Sequence, residues 1–270
     1  MKKVALITGA SAGIGKATAK LFLQDGYIVY GAARRVDNMS DIAALGAKLL
    51  KMDVSDDLSM VEGVNTIIKN ESRIDVLVNN AGFGSYGAVE DVSMADARYQ
   101  LDVNLFGLAR LTQLVLPHMR VHHFGKIVNI TSIGGKIGMP LGGWYHASKF
   151  AVEGLSDSLR LEVKSFGIDV VVIEPGGIKT EWTGIATESM KRVSGNTAYK
   201  GLVQKAIPMF DEAEEKGSDP ALIARLIRKA VTVNKPKARY AAGYMSAPIL
   251  FVKRWLGDAI FDKMIESRLK

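Results

Sequence analysis

The run KVALIT at residues 3–8 passes through TGASAGIG at 8–15 into an amphipathic stretch around 14–25. An aliphatic strand that turns through glycines directly into a helix is the feature that most restricts how this chain can fold. Glycines at 9, 13 and 15 let the backbone turn tightly and approach a pyrophosphate, whose charge the N-terminus of the following helix meets. Ser11 and Ile14 sit in the same turn and join these glycines as candidate nucleotide contacts. The spacing departs from G-x-G-x-x-G. A phosphate-cradling P-loop is also excluded, because Lys16 follows the last glycine with no Ser or Thr after it.

The same alternation continues along the chain. Aliphatic segments at 3–8, 27–33, 47–53, 75–81, 125–132, 168–175 and 238–243 predict strands. Amphipathic stretches around 14–25, 56–71, 99–121, 146–166 and 218–233 predict helices between them. Near-continuous Val, Ile and Leu in the strands means that both faces are covered, as in a parallel sheet with helices on each side. The expected architecture is a doubly wound, Rossmann-type α/β fold with seven parallel strands, formed by residues 1–270 as a single domain. Ligands of such a sheet bind at the carboxyl ends of the strands. The opening MKKVALITGASA resembles a secretion signal in charge order, but its apolar run is broken at Thr8 and Gly9, so it reads as a buried strand. No run of about 18 apolar residues predicts a membrane span. The net charge of +7 comes from scattered basic residues without interleaved aromatics, which argues against a nucleic-acid partner. The absence of cysteine excludes disulfides, thiolate metal sites and a cysteine nucleophile, and fits a cytoplasmic, reducing compartment.

The second strand ends GAARR, with Ala33 where an acid would accept the 2′-hydroxyl of an adenosine ribose. Arg34 and Arg35 follow, and a guanidinium pairs with a 2′-phosphate where an acid would repel it. The expected cofactor is therefore NADP(H), with an NAD preference as the alternative. Asp53 closes the third strand beside Val54, placed for the adenine. Asn80, Ala81 and Gly82, in NNAG, end the fourth strand and would line the ribose side.

Farther on, YHASK places Tyr145 and Lys149 four apart, on one face of a helix. A phenol titrates near 10 unaided, and a neighbouring ammonium is one way to make it useful near pH 7. Together TGASAGIG, NNAG, Asn104 in DVNLFG, Ser132 in NITSIGG, YHASK and PGGIKT (175–180) occur in the order of the short-chain dehydrogenase/reductase family, which this chain resembles closely over residues 1 to about 180. The resemblance implies a catalytic set of Asn104, Ser132, Tyr145 and Lys149. Tyr145 would move the proton, Ser132 would hydrogen-bond the carbonyl oxygen, and Lys149 would stabilise the phenolate and reach the nicotinamide ribose. Asn104 would hold a water that completes a proton relay. Pro175, Gly176, Ile178 and Thr180 would hold the nicotinamide carboxamide and approach the phosphates.

Candidate substrate walls are Ile133, Met139, Leu141 and Trp144 beside the Tyr–Lys pair, Phe83 and Tyr86 after NNAG, and Trp182 after PGGIKT. They suit a bulky apolar carbonyl compound or alcohol, and the resemblance extends loosely to hydroxysteroid, retinol and acyl-dihydroxyacetone-phosphate reductases. Residues 181–217 read as a polar insertion that the family uses as a substrate lid. Residues 246–270 form an amphipathic tail expected to pack on the protein or a neighbouring subunit, with contact to a membrane surface as the lesser alternative. His118 and His122 have metal-compatible spacing but no third ligand, so no metal is expected. The family also pairs its long helices into homodimers or homotetramers. The rival to an enzyme is a non-catalytic NADP(H)-binding sensor, which would usually have lost the Tyr or the Lys.

Overall fold

The computed structural model describes residues 2–269. Strands β1 (Val4–Thr8), β2 (Ile28–Ala33), β3 (Lys48–Lys51), β4 (Val76–Asn79), β5 (Gly125–Ile130), β6 (Ile168–Pro175) and β7 (Arg239–Ala242) form one sheet in the order β3-β2-β1-β4-β5-β6-β7. Every pairing is parallel. Successive side chains of a strand face opposite sides, and β1 shows the consequence. Ala5 and Ile7 pack with α1 (Gly13–Gln24) and α9 (Pro220–Thr232), through Ala19, Phe22, Ile223 and Ile227. Val4 and Leu6 pack on the other side with α3 (Asp57–Glu71) and α5 (Gly107–Val121), through Val64, Ile67, Leu111 and Val115. Both alternations are apolar, which is why the strand carries no polar period.

The helix boundaries follow local chemistry. Asp56 caps α3 by accepting from the Leu58 N–H at 3.1 Å, and Ser72 ends it in the left-handed region. Asp219 caps α9 by accepting from the Ala221 N–H at 2.7 Å, with Pro220 in the first turn.

One segment differs from the sequence expectation, and two that were expected without defined secondary structure are helical. The stretch 99–121 is not one regular helix: α4 (Met94–Leu101) passes through a wide turn at Asp102–Phe106, where the Gly107 N–H bonds the carbonyl of Asp102, before α5 begins. One inserted residue rotates the following helical face by about 100°, and the eight residues of α4 are too few for that shift to show in the pattern. Residues 181–217 contain two helices, α7 (Trp182–Ser194) and α8 (Lys200–Glu215), joined to the aromatic cluster around Tyr145 through Trp182, Ala186, Met190 and Val203. Residues after 245 form α10 (Ser246–Trp255) and α11 (Gly257–Arg268), and Phe261 and Ile265 of α11 bury against Ile137 and Met139. The sequence also hid two short pieces, a 3-10 turn at Val36–Met39 and α2 (Ser40–Ala44). The remaining α6 (Gly143–Glu162) carries YHASK. No helix among the described residues is long and apolar enough to cross a membrane.

Gly15 supplies a test of the first turn. A Cβ there would lie 2.4 Å from the Gly9 carbonyl oxygen and 2.5 Å from Asn80 Nδ2. Gly15→Ala should lower stability by about 1–3 kcal/mol, read from denaturant midpoints. An unchanged midpoint would contradict the close packing of α1 on this turn.

Candidate active site

All the predicted motifs except YHASK and Asn104 stand at the carboxyl edge of the sheet. The strand order reverses direction between β1 and β4, which opens a crevice at that edge. A cavity of about 460 Å³ runs along it, a size typical of sites that enclose a small organic ligand.

The nucleotide end is built by locking β1 to β4. Thr8 Oγ1 accepts from the N–H groups of Asn80 and Ala81, both at 3.0 Å. Asn80 Nδ2 returns the connection by donating to the Thr8 carbonyl at 2.9 Å. Gly9 has φ +66°, and a Cβ there would meet Asn80 Nδ2 at 2.7 Å, so the turn tolerates no side chain. Gly13 has φ +52°, and a Cβ there would lie 2.9 Å from Thr180 Cγ2, which brings the turn after β1 against the loop after β6. Helix α1 starts at Ala12 without a side-chain cap, leaving its first amides for a ligand. Gly9, Ser11, Gly13, Ile14, Val54, Ala81 and Gly82 line the cavity, as do Pro175, Gly176, Ile178 and Thr180. Gly15 does not; its place is in the packing described above.

Beyond Ala33, Arg34 donates through Nη1 to the Tyr99 hydroxyl at 2.8 Å and stands 4.0 Å from Asp53 Oδ2. Arg35 pairs with Glu181 at 2.8 Å, with both side chains 55% exposed. An ion pair that open contributes little and can exchange for another anion. Asp53 Oδ1 accepts from the Ser55 N–H and hydroxyl at 2.9 and 2.7 Å, which fixes the carboxylate and leaves Oδ2 facing Arg34. Uncapped amides, glycines without room for a side chain and two arginines at the β2 edge fit a phosphorylated dinucleotide.

The chemical end centres on α6. Tyr145 and Lys149 lie one turn apart, each 7% exposed. Lys149 Nζ donates to the Ile130 carbonyl at 3.0 Å and stands 5.9 Å from the centre of the Tyr145 ring. The Tyr145 ring itself is 5.1 Å from Trp182 and 5.7 Å from Tyr86. This apolar surround pushes the phenol up to about 12, partly offset by the Ser132 hydroxyl. Burial likewise draws the Lys149 ammonium down to about 8, against the pull of Glu153. The pair was expected to bring the phenol toward neutrality. Instead, burial raises its pKa, and the hydrogen bond of the ammonium goes to the Ile130 carbonyl.

Ser132 Oγ accepts from the Gly134 N–H at 3.0 Å and lines the cavity with Ile133. Asn104 does not line it. Buried in the wide turn, its Oδ1 accepts from the Phe83 N–H at 3.0 Å, and its Nδ2 donates to the Phe83 carbonyl at 2.9 Å and to Ser148 Oγ at 3.1 Å. The side chain thus ties the loop after β4 to α6. Gln100, one turn earlier and fully buried, holds the same loop through the Phe83 carbonyl at 2.7 Å and the Ser85 N–H at 2.6 Å. Its i, i+4 spacing from Asn104 was the available signal, and sequence reasoning missed it.

Met139, Trp182, Phe83 and Tyr86 line the cavity as expected walls. Trp144 and Leu141 do not. Trp144 precedes Tyr145 by one helical position, which turns it about 100° away, and Leu141 packs against the aromatic cluster. Walls that no motif announced come from Met209 and Phe210 of α8, Tyr244 and Met245 after β7, and Ile249 of α10. His146 also lines the cavity; with Nδ1 protonated it donates to the Gly134 carbonyl at 2.9 Å, and burial lowers its pKa so that it stays neutral. No group of three or more metal-ligating side chains occurs among the described residues.

The sequence profile of the short chain dehydrogenases matches residues 3–191. The chain belongs to that family, oxidoreductases whose fold binds a nicotinamide cofactor. It is 37% identical to a 3-ketodihydrosphingosine reductase of Bacteroides thetaiotaomicron, over 95% of this chain and 94% of the relative. It is 33% identical to an NADPH-dependent 3-dehydrocapnine reductase of Ornithobacterium rhinotracheale, over 99% and 98% of the two chains. A solved short-chain dehydrogenase from Streptomyces avermitilis superposes with a TM-score of 0.81 at 32% identity, covering 98% of this chain and 96% of its own.

Proposed function

We propose that the protein is an NADP(H)-dependent reductase of a ketone with a bulky apolar body. The observation that carries this reading is the Tyr145 phenol, buried and kept protonated, between the glycine turn and an apolar wall. Burial keeps the phenol protonated at neutral pH, the state from which carbonyl reduction takes its proton. When bound, the nicotinamide supplies the hydride. Tyr145 gives its proton to the carbonyl oxygen, Ser132 hydrogen-bonds that oxygen as negative charge grows, and Lys149 holds positive charge beside the phenol as the proton leaves. Asn104 and Gln100 act one step back by fixing the loop that carries Phe83. Alcohol oxidation needs the phenol deprotonated, so it should accelerate as pH rises. The 3-ketodihydrosphingosine and 3-dehydrocapnine reductases among the relatives support a ketone substrate, and the second name supports NADPH.

The cofactor choice rests on Arg34 and Arg35 after a β2 that ends in alanine. Losing a charge-assisted hydrogen bond removes about 1.5–3 kcal/mol, so Arg34→Ala should weaken NADPH about tenfold or more while NADH changes little. Equal losses for both cofactors, measured by fluorescence titration, would refute the assignment.

A further inference from the structure

Arg268, in the last turn of α11, lines the cavity in company with Glu212, Tyr244 and Ile249. Its Nη1 donates to Glu212 Oε2 at 3.3 Å. The other oxygen of Glu212 accepts from Lys216 Nζ at 2.9 Å and from the Tyr244 hydroxyl at 2.8 Å. Both carboxylate oxygens of Glu212 are therefore occupied.

A guanidinium has five N–H donors in a planar fork, and Arg268 commits one nitrogen to Glu212. The rest of the fork matches the oxygens of an oxyacid. The other arginines on the cavity wall, Arg34 and Arg35, stand at the β2 edge, and Lys149 sits beside Tyr145. Arg268 is thus the remaining cation among the described lining residues. The Trp182 ring stands 5.1 Å from Tyr145 and 6.4 Å from Phe210, and Met209 lines the same cavity, which supplies apolar wall beside the phenol. A chain laid along that wall with its carbonyl at Tyr145 can place a polar head at Arg268.

The geometry points to Arg268 as the binding site for an anionic oxyacid head group (sulfonate, phosphate or carboxylate) on the substrate. Glu212 is the positioning residue that holds the guanidinium. This inference takes its substrate from the reductase reading, but its test needs no turnover.

Decyl sulfonate and decanol would be titrated calorimetrically into the full chain loaded with NADPH, which occupies the arginines at the β2 edge, and again without cofactor. The NADPH-loaded protein should bind the sulfonate about tenfold more tightly than the alcohol. Arg268→Gln should abolish that preference without weakening decanol, and Arg268→Lys should retain part of it. Decanoate and decyl phosphate rank the three heads. No preference in the parent protein would overturn the proposal. So would equal weakening of both ligands by Arg268→Gln, because it would mean that Arg268 only latches α11 to α8. If no ketone consumes NADPH yet the sulfonate preference follows Arg268, the reductase reading fails while the head-group site stands.

Discussion

Tyr145→Phe should lower ketone reduction by about a thousandfold or more while NADPH binding stays within about twofold. General acid catalysis contributes about 10²–10⁴ in rate, and Tyr145, which lines this cavity, is the proton donor we propose. The substitution removes one oxygen and keeps the ring that packs on Trp182 and Tyr86 at 5.1 and 5.7 Å. The aromatic cluster should therefore survive, and thermal unfolding should shift little. A variant that keeps most of its turnover would show that the proton comes from elsewhere. One that loses activity and NADPH binding together would make Tyr145 a cofactor contact first.

Lys149→Met should separate activity from stability. In the folded chain burial lowers the Lys149 pKa from its ordinary 10.5 to about 8. At about 1.4 kcal/mol per pH unit, holding it charged destabilises the fold by about 3 kcal/mol. The sign follows from proton binding: between pH 8 and 10.5 the unfolded chain holds a proton that the folded chain has released, so stability rises with pH across that window. Below about 8 the full penalty is present. Met should erase the rise, although the Ile130 carbonyl loses its 3.0 Å donor and offsets part of the gain near neutrality. Reduction should fall at least a hundredfold, because no cation remains beside the phenol. A stability profile parallel to the parent's between pH 8 and 10.5 would contradict the buried, charged Lys149.

The sheet was legible because its chemistry is local. Continuous aliphatic runs predicted strands covered on both faces, and Gly9, Gly13 and Gly15 predicted the turn between β1 and α1. The Tyr145–Lys149 pair was legible for the same reason, since four residues on a helix always share a face. What stayed hidden depends on contacts between distant segments. The wide turn at 102–106 rotates the face of α5 by about 100° relative to α4, and α4 is too short for that shift to show in the pattern. Trp144 looked like a wall by adjacency, yet one helical step aims it elsewhere. Met209, Phe210, Ile249 and Arg268 reach the cavity only through the packing of α8, α10 and α11, elements whose apolar positions resemble those of any surface helix. The Tyr145 pKa depends on how completely Trp182 and Tyr86 exclude water, which no spacing encodes.

The most direct test is NADPH consumption at neutral pH with a graded series of straight-chain 3-ketones. The account predicts ketone-dependent oxidation of NADPH that is faster than with NADH, that improves as the chain lengthens, and that vanishes in Tyr145→Phe. NADPH that is bound but never oxidised by any member of the series, or oxidation that persists in Tyr145→Phe, would contradict it.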